Sequence, residues 1–345
     1  EEFKSITIRN VIVKLVSVLL IFVLVNGQED LYLYALIVNG SSVVGNISLF
    51  LGLRKYLIKV NIKDLQVTKH FRGFLIYFVP AIASTINTNL DKTMLGIITN
   101  SKLENGFYEL AYKMELMILT VFSSINMVLR PRMAALWNTR SYDKIKIKSE
   151  KALSMVLCLS VAVFFGLNGV VREFVPLFLG PGYEKVAILL NIFSFTIVFK
   201  AVSNFILEQY LMTSGRMKIV TKLIFLGALV NALLNIILII PLGSVGASLA
   251  TVGSELAILI GTYHFSKKYL KELEIKTSIL KFIFSGMFMF LAVKVLLIKS
   301  SVTFYYLFFV IVVGALTYLL GLIILKEKLV ISIIKEFHEK LMRKF

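Results

Sequence analysis

Cysteine, histidine and proline are scarce in this chain: one, three and five among 345 residues. A lone Cys158 builds no disulfide framework, and inside an apolar block it reads as a small packing hydrophobe. His70, His264 and His338 are scattered between apolar blocks, so no His/Cys set has metal-ligand spacing. There is no Walker loop, no HExxH, no CxxC and no Asp-Asp pair of the kind that holds a nucleotide-sugar metal. Cofactor, metal and nucleophile chemistry therefore have no carrier, and the expectation is a protein that is not an enzyme. Charge is thin as well, 17% against roughly a quarter in a soluble domain. Apolar residues fill the gap, at 58% with a mean hydropathy of +0.84. That surplus excludes disorder and a collagen-like fibre, and it exceeds what a soluble core holds. The net charge of +18 invites a nucleic-acid reading, but the basic residues cluster between apolar blocks, as in a polytopic membrane protein. No nucleic-acid partner is expected.

The apolar blocks are long enough to cross a bilayer, which takes roughly 20 residues each. Ten are found, near 10–26, 31–51, 73–98, 108–128, 152–169, 187–207, 223–240, 246–263, 282–298 and 303–325. They are apolar all round rather than alternating, so they are helices and not barrel strands. The fold class is all-α, a transmembrane helix bundle. Connectors 1–9, 52–72, 129–151, 209–222, 264–281 and 326–345 hold 29 Lys and Arg, and the intervening connectors hold four. The basic set should face the cytoplasm with both termini of the chain, in the cell membrane. The basic connectors read as headgroup-facing surface, with anionic membrane lipids as partners. The outer connectors are short; the longest spans about 170–186. Apolar positions Leu329, Ile333, Ile334, Phe337 and Leu341 recur at helical spacing in 326–345, the pattern of an interfacial amphipathic helix.

Charges inside spans carry the functional expectations, because each is costly there. Lys14, Lys200, Glu208 and Lys294 lie near predicted ends and read as snorkelling side chains. The third and fourth spans differ. Pro80, Ser84, Asn87 and Asp91 share one helix face, with Thr85, Thr88 and Lys92 beside it. Pro80 permits a kink. Glu109 and Lys113 make an i,i+4 pair with the acid first, and Glu115 points elsewhere. Asp91 and Lys113 sit at similar depth and are expected to pair across the hairpin. That pair either fixes hairpin register or lines a hydrated cavity for a polar or anionic cargo. Asn87, Asn89, Ser123, Ser124 and Asn126 favour the cavity. The candidate cavity residues are Asn87, Asp91, Lys92, Lys113, Glu115 and Asn126. Glu255, flanked by Gly246, Ser248, Gly253 and Ser254, is either a protonated packing residue or, with Asp91, part of an ion relay. Residues 210–217 read as a short inner turn.

The stretch DKTMLGIITNSKLENGFYELAYKM (91–114) resembles the DK/R-x-MLG … G-x-Y-x-x-A-x-K segment of Wzx-type polysaccharide flippases, members of the multidrug/oligosaccharidyl-lipid/polysaccharide exporter superfamily. REFVPLFLGPGYEKV (172–186) is similar to that family's loop after its ninth helix. The resemblance implies two six-helix lobes around a central cavity, with the DK-x-MLG segment on helix seven. Here that segment falls on the third span, and residue 1 is Glu1 rather than Met, so most of the first lobe is expected to be missing. On this reading 1–72 holds the last two helices of the N-terminal lobe, 73–263 a six-helix C-terminal lobe, 264–325 an extra helix pair and 326–345 a tail. The implied function is translocation of undecaprenyl-diphosphate-linked oligosaccharide for capsule- or O-antigen-type polysaccharide, with polysaccharide-assembly proteins as further partners. Family cavities often use Arg, whereas the in-span cations here are all Lys, which act as point charges. The rival readings are a cation-coupled small-molecule antiporter and a membrane polymerase or glycosyltransferase. The short outer connectors argue against the enzyme.

Overall fold

The computed structural model describes residues 3–53, 67–298 and 302–332. Ten α-helices follow in chain order: α1 (Phe3–Leu24), α2 (Leu31–Leu53), α3 (Val67–Thr99), α4 (Lys102–Asn138), α5 (Tyr142–Leu179), α6 (Glu184–Ile206), α7 (Met217–Leu242), α8 (Ser244–Leu270), α9 (Lys276–Leu297) and α10 (Phe304–Ile324). Each coincides with one apolar block. No strand occurs among the described residues. Among the described residues, nine of the helices are long and apolar enough to cross a membrane. α3, with 33 residues, is about 50 Å long at 1.5 Å per residue. This is a multi-pass membrane bundle.

The helices outrun their apolar blocks most at α4 and α5, with 37 and 38 residues. The expected outer loop over 170–186 is therefore largely helix. Pro176 lies inside α5, whose last turn closes where Gly180 N donates to Pro176 O at 3.0 Å. Only 180–183 connects, with Gly180 and Gly182 at φ 93° and 92°. That conformation is open to glycine and strained for most other residues. The basic segment 54–66 and residues 333–345 of the expected amphipathic tail lie outside the described residues. A helical turn over 328–332 begins that tail.

Two compact units are present, 1–71 and 72–345. In the first, α1 packs on α2. In the second, α7 packs on α8, α5 on α6, α6 on α8 and α4 on α6, while α9 packs on both α5 and α10. The α7–α8 seam is the tightest: a Cβ at Gly246 would stand 2.0 Å from the Leu238 carbonyl oxygen. Small residues let membrane helices approach this closely, and Gly253 does the same against Leu234. Tyr318 on α10 donates to the Cys158 carbonyl at 2.8 Å, which locks the last helix onto α5. Leu, Ile and Phe side chains remain exposed along α7, α9 and α10, the surface a bilayer covers.

Opposite the basic end, Glu104 ties three helices. It pairs with Lys185 of α6 and accepts from Ser244 N, the first residue of α8, at 2.9 Å. A carboxylate there satisfies orphan amides and the positive end of the α8 dipole.

Candidate functional site

The second unit buries a tract of charge between α3, α4, α6, α7 and α8. Asp91, on α3, is eight residues before the helix end, about 12 Å along the axis. It is 4% exposed. Tyr108 of α4 donates to its Oδ2 at 2.7 Å, and Thr251 of α8 lies 3.0 Å from the same oxygen. Asn235 of α7 donates to Oδ1 at 2.6 Å and to Asn231 Oδ1 at 3.0 Å. Thr251 Oγ1 also touches Tyr108 Oη at 3.1 Å and the Ala247 carbonyl at 3.0 Å. This cage is rich in oxygen and short of protons. Each hydroxyl has one proton to give, and Asn235 Oδ1 is buried without a partner.

The expected pairing of Asp91 with Lys113 is not formed. Lys113, 63% exposed, instead lies 3.4 Å from Glu109 on its own helix, the i,i+4 pair that the sequence predicts. Lys92 of α3 takes Glu109 across the hairpin and stands 4.8 Å from the Tyr112 ring centroid. The reason is angular. Asp91 and Lys92 are 100° apart on α3, so the acid enters the lobe interior while the base meets the α4 face that carries Glu109.

The next layer sits about two turns along α4 from Tyr108. Glu115 is fully buried and pairs with Lys200 of α6 at 2.9 Å. Thr196 donates to the same carboxylate oxygen, and Glu115 Oε2 is left without a partner. Lys200 is 13% exposed and lies 5.6 Å from the Tyr112 ring, so it does not snorkel: an internal acid offers it more than the interface does. Glu255 of α8 lies within electrostatic reach of Lys200, Glu115 and Asp91. Four acids, Asp91, Glu109, Glu115 and Glu255, thus face three lysines, Lys92, Lys113 and Lys200. The acidic side chains outnumber the lysines by one.

Other candidates fall elsewhere. The side chain of Asn87 lies outside the described residues. Asn89, Ser123 and Ser124 are exposed and bond their own helix backbones at 2.9, 3.2 and 2.9 Å. Asn126 is buried and its carbonyl accepts from Gln209 at 3.2 Å. Residues 207–212 form a π-helical turn rather than part of a loop. Glu208 in that turn pairs with Arg130 of α4, and Lys294 rests 5.9 Å from the Phe290 ring.

Sequence reasoning missed Tyr108, Thr196, Asn231, Asn235 and Thr251. Asn231 and Asn235 had a signal: two amides at i,i+4 in the otherwise apolar run GALVNALLNIIL. Among the described residues no three His, Cys, Asp or Glu gather as a metal-holding group. The cage around Asp91 holds one carboxylate among neutral side chains.

Residues 1–137 match the model of a family described as polysaccharide biosynthesis protein. A curated protein named as an O-antigen transporter, from Shigella dysenteriae, is 22% identical over 263 residues, 75% of this chain and 65% of the relative. The solved structure of lipid II flippase MurJ, in an inward closed conformation, superposes with a TM-score of 0.73 at 19% identity, over 92% of this chain and 65% of that one. At that identity the likeness speaks for the fold. The chain spans just under two thirds of the length of each. The family model covers the motif at 91–114, and the fold and the apolar helices make the chain a multi-pass membrane protein that is similar to polysaccharide flippases.

Proposed function

We propose that the full-length protein moves an undecaprenyl-diphosphate-linked oligosaccharide from the inner to the outer leaflet of the cytoplasmic membrane, driven by a monovalent cation or proton. The observation that carries this reading is the acid-rich tract, four carboxyl side chains against three lysines in the second unit. A net charge in hydrocarbon is neutralised rather than tolerated. The Asp91 cage supplies the place: Tyr108, Thr251 and Asn235 hold its carboxylate, and Asn235 Oδ1 is buried beside it without a partner.

The cargo end of the tract is Lys113. It is the exposed cation of the set, with Lys92 one helix away. Two ammonium groups held by a single carboxylate retain positive charge for a diphosphate. Binding of the cation at Asp91 changes the charge that Tyr108 and its α4 neighbours feel, and α4 carries Glu109 and Lys113. Cation and cargo are thereby coupled through one helix, within an alternating-access cycle. The basic connectors face the cytoplasm. Other polysaccharide-assembly proteins receive the cargo outside.

The test is complementation of a strain that lacks its polysaccharide flippase, using the full-length gene. Surface polysaccharide should be restored, and Lys113→Ala and Asp91→Asn should each abolish most of it while the protein still reaches the membrane. Restoration by both variants at wild-type level refutes the assignment.

A further inference from the structure

A second recess lies away from the charge tract, at the end of the second unit that carries the basic connectors. It is an apolar crevice of about 480 Å³ between α5, α6, α8 and α9, within the range of small-ligand sites. Leu157, Val202, Ile206, Leu259, Ile260 and Ile279 form its walls. Ile260 is 61% exposed, so the crevice opens sideways, toward the surface a bilayer covers. Two lysines, Lys271 and Lys276, stand at its rim, and no acid lines it. Both are exposed, and neither has an ion-pair partner among the described residues.

The nearby acids are otherwise engaged. Glu274 pairs with Lys328 at 3.3 Å. Glu327 is buried and accepts from Ser278 Oγ at 2.9 Å and Val330 N at 3.1 Å. Glu272 lines a different recess, with Lys146, Tyr210 and Lys268. α9 begins at Lys276 with no acid of its own in its first turn and no side-chain cap, and the Glu327 carboxylate meets that turn at Ser278, on the side away from the crevice lining. Orphan amides at a helix start attract anions, and here they open beside an apolar wall.

An apolar slot ending in unpaired cations at a membrane interface matches one chemistry, an anionic amphiphile. We propose that this crevice binds an anionic glycerophospholipid of the adjacent leaflet. One acyl chain lies along Val202, Ile206 and Ile260, and the phosphate rests between Lys271 and Lys276. The walls supply area and the lysines supply headgroup selectivity. The site is separate from the tract that handles cargo.

Native mass spectrometry of the full-length protein, titrated with phosphatidylglycerol and with phosphatidylcholine of the same chains, tests this. One phosphatidylglycerol should bind in preference to phosphatidylcholine. Lys271→Gln with Lys276→Gln should weaken it roughly 10- to 30-fold, the loss expected for two interfacial lysines. Both residues are exposed, so the fold is retained. Lys146→Gln with Lys268→Gln should leave that site unchanged. Val202→Phe should reduce binding of both lipids by filling the slot. Equal affinity for the two lipids, or an unaltered double-glutamine variant, overturns the proposal. Displacement of the phosphatidylglycerol by a polyprenyl phosphate at equal concentration also overturns it, because the crevice then belongs to the cargo.

Discussion

Lys200→Met removes the ammonium from the best-buried ion pair among the described residues and leaves the Glu115 carboxylate alone. Glu115 is fully buried, and its second oxygen already lacks a partner. Methionine matches the length of the lysine stem, so little packing is lost and the effect isolates charge. Breaking one side of a buried pair costs about 3–5 kcal/mol. At 1.36 kcal/mol per decade, that lowers the folded-to-unfolded ratio by roughly 10²- to 10⁴-fold. The Thr196 hydrogen bond to the same oxygen holds the loss toward the lower end. Glu115→Gln combined with Lys200→Met removes both charges. Uncharged replacement of a buried pair is often neutral or better, so the double variant should recover most of the folded fraction. The assay is the monodisperse fraction left after thermal challenge of the purified full-length protein in detergent. A double variant as unstable as Lys200→Met refutes the reasoning. It would mean that the loss came from packing and that the pair carries no coupled charge.

Three further outcomes follow from the geometry. Gly246→Ala should destabilise by about 1–3 kcal/mol or more, because its methyl would meet the Leu238 backbone at 2.0 Å; Gly106→Ala, with nothing within 4 Å, should stabilise α4 by about 0.5–1 kcal/mol, and thermal-challenge assays of the two variants check the contrast. Cysteine at Asn105 or Gly182 should label from outside in intact cells with an impermeant thiol reagent, and cysteine at Lys144 or Lys271 should not. Lys113→Ala should impair export yet leave thermal stability within about 0.5 kcal/mol, since its ion pair is exposed.

The ten helices were legible because a bilayer demands apolar length, and length survives in one dimension. Helix ends were less so: Arg172 to Leu179 extends α5 although it follows the apolar block, because neither Glu173 nor Pro176 forces a stop until Gly180. The charge tract was half legible. Spacing along one helix showed the Glu109–Lys113 pair. Partners on different helices did not show, because rotation of each helix decides them. Asp91 was assigned to the nearest cation of like depth, whereas the structure turns it toward Tyr108, Asn235 and Thr251. Lys200 was misplaced at the interface for the same reason, since sequence distance from a span end carries no information about an acid on α4.

The central claim is that a cation at Asp91 drives movement of a lipid-linked oligosaccharide. Purified full-length protein in proteoliposomes, supplied with fluorescent polyprenyl-diphosphate oligosaccharide in one leaflet, tests it directly under imposed sodium or proton gradients. The account predicts leaflet exchange that accelerates with one of those gradients and loses that dependence in Asp91→Asn. Exchange that is equally fast without any gradient and unchanged in Asp91→Asn would contradict it.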